Sequence, residues 1–406
     1  MQLTKNVNRE LYAKGITRRA ILIGNLAHFL HDGYTDMLYV FFPVWQAQWS
    51  LSFAQIGLFK TLVSGSMAVW QIPSMLIAER FGRIKLLLAG TAVTGFAVLL
   101  YGWVTRPWLL GLLLILAGMG SSVQHPLSSS LISDTYSEVK ARRRALSTLN
   151  FVGDIGKLIF PAAAAFLISR LQWQTASRLL AAWGFFILLI LVFVASGIGW
   201  TKAALPSKEN KPSGTKLILG WKGYQAFWSL AAIGVIDSAT RIAFLTFFPF
   251  LLRGKGADVT TVGFALSLIF AGGATGKLAC GILATRIGIL RSVIITESLT
   301  ALCIGGMMTL SLGGALLLAP LLGIALNGTS SVLYGSVPEL VPEKQCAQAF
   351  SVFYTAVLGS GALVPSVYGL ISDLAGVKWT MIIITLVVLA ALPLTLPLRG
   401  RFVHKF

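Results

Sequence analysis

The sequence predicts an all-α polytopic membrane protein, with about twelve transmembrane helices in two pseudo-symmetric six-helix bundles. Three observations carry this expectation. Of 406 residues, 56% are hydrophobic and only 12% charged, about half the charged share of a soluble domain. Apolar stretches long enough to cross roughly 30 Å of hydrocarbon follow one another from about residue 20 to 398. The chain also repeats itself: Phe41-Phe42-Pro43 recurs as Phe247-Phe248-Pro249, Gly57 as Gly263, and Ala78-Glu79-Arg80-Phe81-Gly82 as Ala284-Thr285-Arg286-Ile287-Gly288. The differences 249 − 43, 263 − 57 and 288 − 82 all equal 206, so one unit is written twice.

The first half, residues 1–199, holds spans at about 19–46, 53–78, 84–104, 107–133, 144–168 and 173–199. The stretch before Ala20 is polar and basic, and the apolar segment after it is too long for a signal-peptide core, so it reads as an uncleaved first helix. Span one carries His28, His31, Asp32 and Asp36, and the spacing of four stacks His28, Asp32 and Asp36 on one helix face. A carboxylate in hydrocarbon costs several kcal/mol or is neutralised, which makes this face a candidate site where a proton binds and leaves. The bland alternative is a satisfied structural network. Span two contains Lys60, with no acid nearby in sequence, and Trp70. Span four runs Gly118-Met119-Gly120-Ser121-Ser122-Val123-Gln124-His125-Pro126, where small residues allow close packing and Pro126 is expected to weaken the helix after His125. His125 joins the candidate proton sites. Span five pairs Asp154 with Lys157, three apart, and contains Phe151 and Pro161; span six contains Trp183.

Residues 200–222 turn to Lys, Ser, Pro, Gly and Asn, a composition that cannot bury enough apolar surface to fold alone and reads as a linker. The second half, residues 223–406, holds spans at about 223–252, 259–284, 289–311, 314–338, 347–373 and 377–398. Span seven places Asp237 and Arg241 four apart, close enough to neutralise each other on one helix. Span eight contains Lys277, which pairs across helices, faces water or snorkels. Glu297 in span nine reads either way, since one acid can be buried against a neighbouring helix. Pro365 in span eleven mirrors Pro161. Trp45, Trp49, Trp103, Trp108, Trp173 and Trp379 fall near span ends, as an interfacial aromatic belt requires.

A net charge of +19 would suggest nucleic acid in a soluble protein. Here the odd-numbered connections contribute only Arg106, Arg170, Arg253, Lys255 and Lys378 of 33 Lys and Arg residues. That asymmetry is the positive-inside rule and makes both termini cytoplasmic, with the basic loops facing anionic lipid rather than a nucleic acid. Cys280, Cys303 and Cys346 support neither a disulfide framework nor a thiolate metal site. His28, His31, Asp32 and His125 could ligate a transition metal, but no fixed histidine motif accompanies them, so no metal and no cofactor is expected. No metal-protease motif, nucleophile elbow or phosphate loop is present, which argues against an enzyme.

Six spans, a cytoplasmic linker and six more with parallel repetition resemble the major facilitator superfamily. Its loop signature is matched by Ile77-Ala78-Glu79-Arg80-Phe81-Gly82-Arg83 and by Ala284-Thr285-Arg286-Ile287-Gly288. The resemblance implies a conformational latch at Glu79, Gly82, Arg83, Arg286 and Gly288. Thr285 replaces the acid of the second copy, so the charged latch would be Glu79 with Arg83. Ala27-His28-Phe29-Leu30-His31-Asp32, with Gly120 to Pro126, is similar to the fosmidomycin-resistance branch. That implies a proton-driven bacterial exporter of small toxic or phosphonate-like compounds, acting by alternating access in the inner membrane and functional as a monomer. Arg241, Asp237, Asp154, Lys157, Lys60, Lys277 and Trp70 are the candidate substrate contacts, with Trp183 and Phe151 as apolar ones. Across the repeat His31 corresponds to Asp237, Asp32 to Ser238 and Lys60 to Leu266, so the first half is expected to hold most of the titratable chemistry.

Overall fold

The computed structural model describes residues 2–136, 138–197, 221–342 and 345–400, and no strand occurs among them. Most of the predicted linker and the last residues of the chain lie outside the described residues. The helices are α1 (Gln2–Asp36), α2 (Leu38–Trp49), α3 (Phe53–Phe81), α4 (Arg83–Tyr101), α5 (Pro107–Ser121), α6 (Gln124–Ser133), α7 (Val139–Arg170), α8 (Trp173–Ser196), α9 (Trp221–Gly254), α10 (Val259–Ile287), α11 (Ile289–Thr309), α12 (Leu312–Leu340), α13 (Cys346–Ala375) and α14 (Val377–Leu389). Among the described residues, 11 helical segments are long and apolar enough to cross a membrane. The remaining predicted span is the first, which is divided at Met37 into α1 and α2. Leu317, Leu374 and Phe193 expose 85%, 89% and 80% of their surface, a distribution suited to lipid rather than water.

The repeat is visible in the helix limits: Phe53–Phe81 and Val259–Ile287 are offset by 206 at both ends. Their starts are built alike. Ser52 and Gln55 form a capping box, the Gln55 amide donating to Ser52 Oγ at 3.2 Å and the Ser52 amide to Gln55 Oε1 at 2.9 Å. Asp258, the residue matching Ser52, accepts from the Thr261 amide at 2.7 Å. Their ends are alike as well, because Gly82 and Gly288 turn the chain with φ of +94° and +87°, a region in which a side chain is strained.

Two prolines place breaks differently from the sequence expectation. Span four is interrupted at Ser122 and Val123, before His125 rather than after it. A proline ring clashes with the carbonyl four residues earlier; for Pro126 that residue is Ser122. Span twelve ends its α-helix at Leu389, four residues before Pro393, and continues as a 3-10 segment, Pro393–Leu398. The first helix begins at Gln2, well before the predicted start at residue 19, since no proline interrupts the polar stretch. Trp45 and Trp173 are buried and so lie outside the expected aromatic belt, whereas Trp103, Trp108 and Trp379 are exposed as expected.

The chain forms two compact units. One contains the residues up to Leu38 and from Leu62 through α8; the other contains Tyr39–Thr61 and everything from α9 onward. In the first, α1 packs on α7, and α4 on α5 and α8. In the second, α10 and α11 pack on α12, and α13 on α9.

Candidate functional site

Asp32 sits on α1 with 4% of its surface exposed. Close approach of α1 and α7 places it there. A Cβ at Gly156 would lie 2.1 Å from the Phe29 carbonyl oxygen, and one at Gly153 would lie 2.4 Å from His28 Cδ2 and 2.5 Å from Asp32 Oδ2. Only glycine leaves this space open, so α7 lies directly against the acid. One turn further along α7, Lys157 brings its Nζ to 3.4 Å from Asp32 Oδ2.

Three of the chain's four histidines converge on the same carboxylate. His28 Nε2 is 3.6 Å from Oδ2, while His31 Nε2 and His125 Nε2 are 3.9 and 3.7 Å from Oδ1. His28 and His31 belong to α1, whereas His125 comes from α6, whose start is set by the break before Pro126. The imidazoles are edge-to-face, with His125 centroids 4.6 Å from His28 and 4.8 Å from His31. The His125 side chain is 42% exposed and that of Lys157 27%, against 6% for Asp32, so the network opens outward through His125 and Lys157. Asp36, the last residue of α1, is half-buried.

Lys157 also lies 3.8 Å from Asp154 Oδ1. The expected pairing within α7 is therefore present but shared, with Asp32 the nearer acid. His28, Asp32 and His125 offer donor atoms within 4.8 Å of one another, enough for a metal ion by position. The Lys157 ammonium already engages that carboxylate and would repel a dication, so the chemistry of the set suits proton exchange better than metal binding.

The other predicted residues are distributed more widely. Lys60 is 3% exposed and lies over the Tyr39 ring, 4.6 Å from its centroid. Trp70 and Phe151 are exposed, and Trp183 stacks on Phe160 with centroids 4.8 Å apart. Lys277 is half-buried on α10. Asp237 and Arg241 form no ion pair on α9: the guanidinium reaches Ser330 Oγ at 3.5 Å instead, because a four-residue spacing permits contact without imposing the rotamers that make it. In the last turns of α3 and α10, Glu79 and Arg286 are exposed, and the acid facing Arg83 is Asp134 at the end of α6 rather than Glu79. Arg83 also donates to Ser130 Oγ at 2.5 Å. Gly153 and Asp134 were not identified from sequence. The small-residue spacing of Gly153 and Gly156 is a signal for the first; nothing local distinguishes Asp134, which is 51 residues from Arg83.

Known proteins give this geometry a context. The Major Facilitator Superfamily profile matches residues 25–320 and 230–405. "Multidrug resistance protein MdtL" of Escherichia coli O17:K52:H18 is 22% identical over 252 residues, covering 60% of this chain and 62% of that relative's length. "Gallate transporter" of Pseudomonas putida is 24% identical over 353 residues, covering 77% and 76%. A crystal structure of a bacterial homologue of the human lysosomal transporter Spinster, inward-facing and occupied, superposes with a TM-score of 0.75 at 18% identity, over 92% of this chain and 95% of the other. The unoccupied form gives a TM-score of 0.71.

Proposed function

The chain belongs to the Major Facilitator Superfamily, a multi-pass membrane transporter and not an enzyme, and on that premise we propose that it is a proton-coupled antiporter exporting a small toxic or anionic compound by alternating access. The observation that carries this reading is the convergence of His28, His31, His125 and Lys157 on the buried Asp32. A fixed carboxylate compensated by a lysine and ringed by imidazoles, side chains that exist in both charged and neutral forms, can take up and release a proton without leaving an unpaired charge in the bundle. His125, the most open member, is the entry point; Asp36 assists at the end of α1.

Arg241 supplies a cation for an acidic or phosphonate-like solute, and the half-buried Lys277 is a second cationic candidate. Lys60, buried over the Tyr39 ring, is a third cationic candidate. The protein acts as a monomer. Its place in a bacterial inner membrane is supported by the relatives' bacterial origin, and cytoplasmic termini by the lysine and arginine asymmetry. Similarity to a gallate transporter favours a second reading, carriage of an organic anion, for which import is the direction to be tested. A susceptibility panel separates the two. Cells overexpressing the protein should tolerate phosphonates or cationic drugs better than cells lacking it, whereas growth on aromatic acids without any gain in resistance would favour uptake.

A further inference from the structure

Residues Tyr39–Thr61 belong to the first repeat by sequence, yet they pack in the second unit. Their contact with α13 is close. A Cβ at Gly57 would lie 2.1 Å from the Pro365 carbonyl oxygen, and one at Gly369 would lie 2.4 Å from that of Phe53, so a glycine on each helix lets the backbones touch. Ser366 Oγ donates to Thr61 Oγ1 at 2.9 Å, and the Phe53 ring meets Phe250 edge-on with centroids 5.3 Å apart. At the exposed end of this contact, Asp373 of α13 accepts from the Phe53 amide at 2.7 Å and from the Ala54 amide at 2.9 Å, one through each carboxylate oxygen.

Those two amides are the first of α3 and have no acceptor within the helix. The Gln55 amide is already met by Ser52 Oγ, so α3 caps itself, and Asp373 adds a bond between helices. The repeat shows that the scaffold does not require this acid. Moving back 204 to 206 positions, the offsets of Pro365 from Pro161 and of Gly263 from Gly57, puts Leu167, Ile168 or Ser169 where Asp373 stands. None carries a negative charge, and Ser169 Oγ turns back to the Phe166 carbonyl on its own helix at 2.8 Å. The end of α13 therefore has a charged clasp that the matching end of α7 lacks.

A carboxylate at a helix N-terminus is held by amide hydrogens and by the positive end of the helix dipole. Asp373 is also exposed, so water competes for both the acid and the amides, and the bond biases the contact without fixing it. We propose that Asp373 is a releasable clasp for the start of α3: while it holds, Tyr39–Thr61 stay with the second unit, and its release frees them to move with their own repeat. With cytoplasmic termini, the clasp lies at the outer end of α3, and the Gly82 turn at the inner end. The proposal rests on the alternating-access reading, in which the start of α3 changes partners once per cycle.

Thr61, part-buried against Ser366, supplies the reporter. In a chain with Cys280, Cys303 and Cys346 changed to alanine, Thr61→Cys is labelled in spheroplasts by a membrane-impermeant maleimide at a rate that follows release of the segment. Asp373→Ala and Asp373→Asn should each speed labelling about two- to fivefold, the range for a carboxylate at an exposed helix N-terminus. A rate equal to that with Asp373 present would overturn the clasp. Both variants, purified, should unfold close to the parent temperature because α3 keeps its own cap; a large drop in both would make Asp373 a fixed part of the scaffold and would also overturn it. Adding Ser366→Cys with Asp373 intact places two thiols where a disulfide can close, and oxidation should stop transport until the bond is reduced. Transport that continues through the closed disulfide would overturn the movement itself, and with it the clasp, a failure seen without altering Asp373.

Discussion

Lys157 Nζ lies closer to Asp32 Oδ2 on the neighbouring helix, at 3.4 Å, than to Asp154 Oδ1 on its own, at 3.8 Å. The lysine therefore ties α7 to α1 at the one buried acid that three histidines also face. A charge shared in this way depends on helix packing and not only on local spacing.

Asp32→Asn should abolish uphill transport driven by a pH gradient in proteoliposomes while energy-independent counterflow continues. Retained uphill transport would remove Asp32 from coupling. Breaking a buried pair costs about 3–5 kcal/mol; because the Lys157 side chain is 27% exposed, water solvates the orphaned cation and the loss of stability should be near or below the lower limit.

Gly153→Ala should be disproportionately harmful for a single methyl group. That carbon would fall 2.4 Å from His28 Cδ2 and 2.5 Å from Asp32 Oδ2, forcing α1 and α7 apart. Overpacking of this kind costs about 1–3 kcal/mol. A thermal-shift measurement paired with the pH-gradient assay should show both a lower melting temperature and weaker coupling; parent behaviour in both would mean the helices can adjust freely.

Arg241→Ala should raise the half-saturation concentration for anionic solutes more than for neutral ones. Arg241 donates to Ser330 at 3.5 Å and shares its field between Asp237 and Glu297 without an ion pair to either, so an anionic solute can compete for it at close range. Equal effects on the two solute classes, measured by competition in counterflow, would assign it to structure.

The cytoplasmic turn should respond to Asp134 and not to Glu79. Arg83→Asp is expected to slow transport, and adding Asp134→Arg should restore part of it, since Arg83 faces Asp134 across α4 and α6. Glu79→Gln should be near neutral. A strong Glu79→Gln defect with no rescue in the exchanged pair would return the latch to Glu79 with Arg83.

Asp258 predicts a small acid-side instability. The Thr261 side chain and amide both hydrogen-bond its carboxylate, holding the Asp258 pKa below the usual aspartate value. Because the folded pKa is depressed, the stabilisation is complete above the unfolded aspartate pKa, near 4, and is lost as pH falls through the lower folded value. Asp258→Ala should cost about 0.5 kcal/mol, the low end for an N-cap since the group is exposed. The difference from the parent in thermal unfolding should shrink as the pH falls below about 4.

Much of the architecture was legible because it follows from local rules. Hydropathy set the spans, and the 206-residue offset located the two halves and reappears in the limits of α3 and α10. Glycine at 82 and 288 marked the turns, since few other residues tolerate a φ near +90°. The buried acids and histidines were identifiable as candidates because charge is rare in hydrocarbon. Their partners were not identifiable, since a partner is fixed by which helices touch and in what rotation. His125 joins His31 and Asp32 through the break that Pro126 forces one turn earlier. Arg83 takes Asp134, and Asp237 and Arg241 separate despite their spacing. The sequence by itself determined the membrane class, the duplication and the residue types able to carry protons. Only the tertiary structure decided that three histidines and a lysine share one carboxylate while Glu297 stands apart beside Asp237, because electrostatic partnership acts over a few ångströms of space and not along the chain.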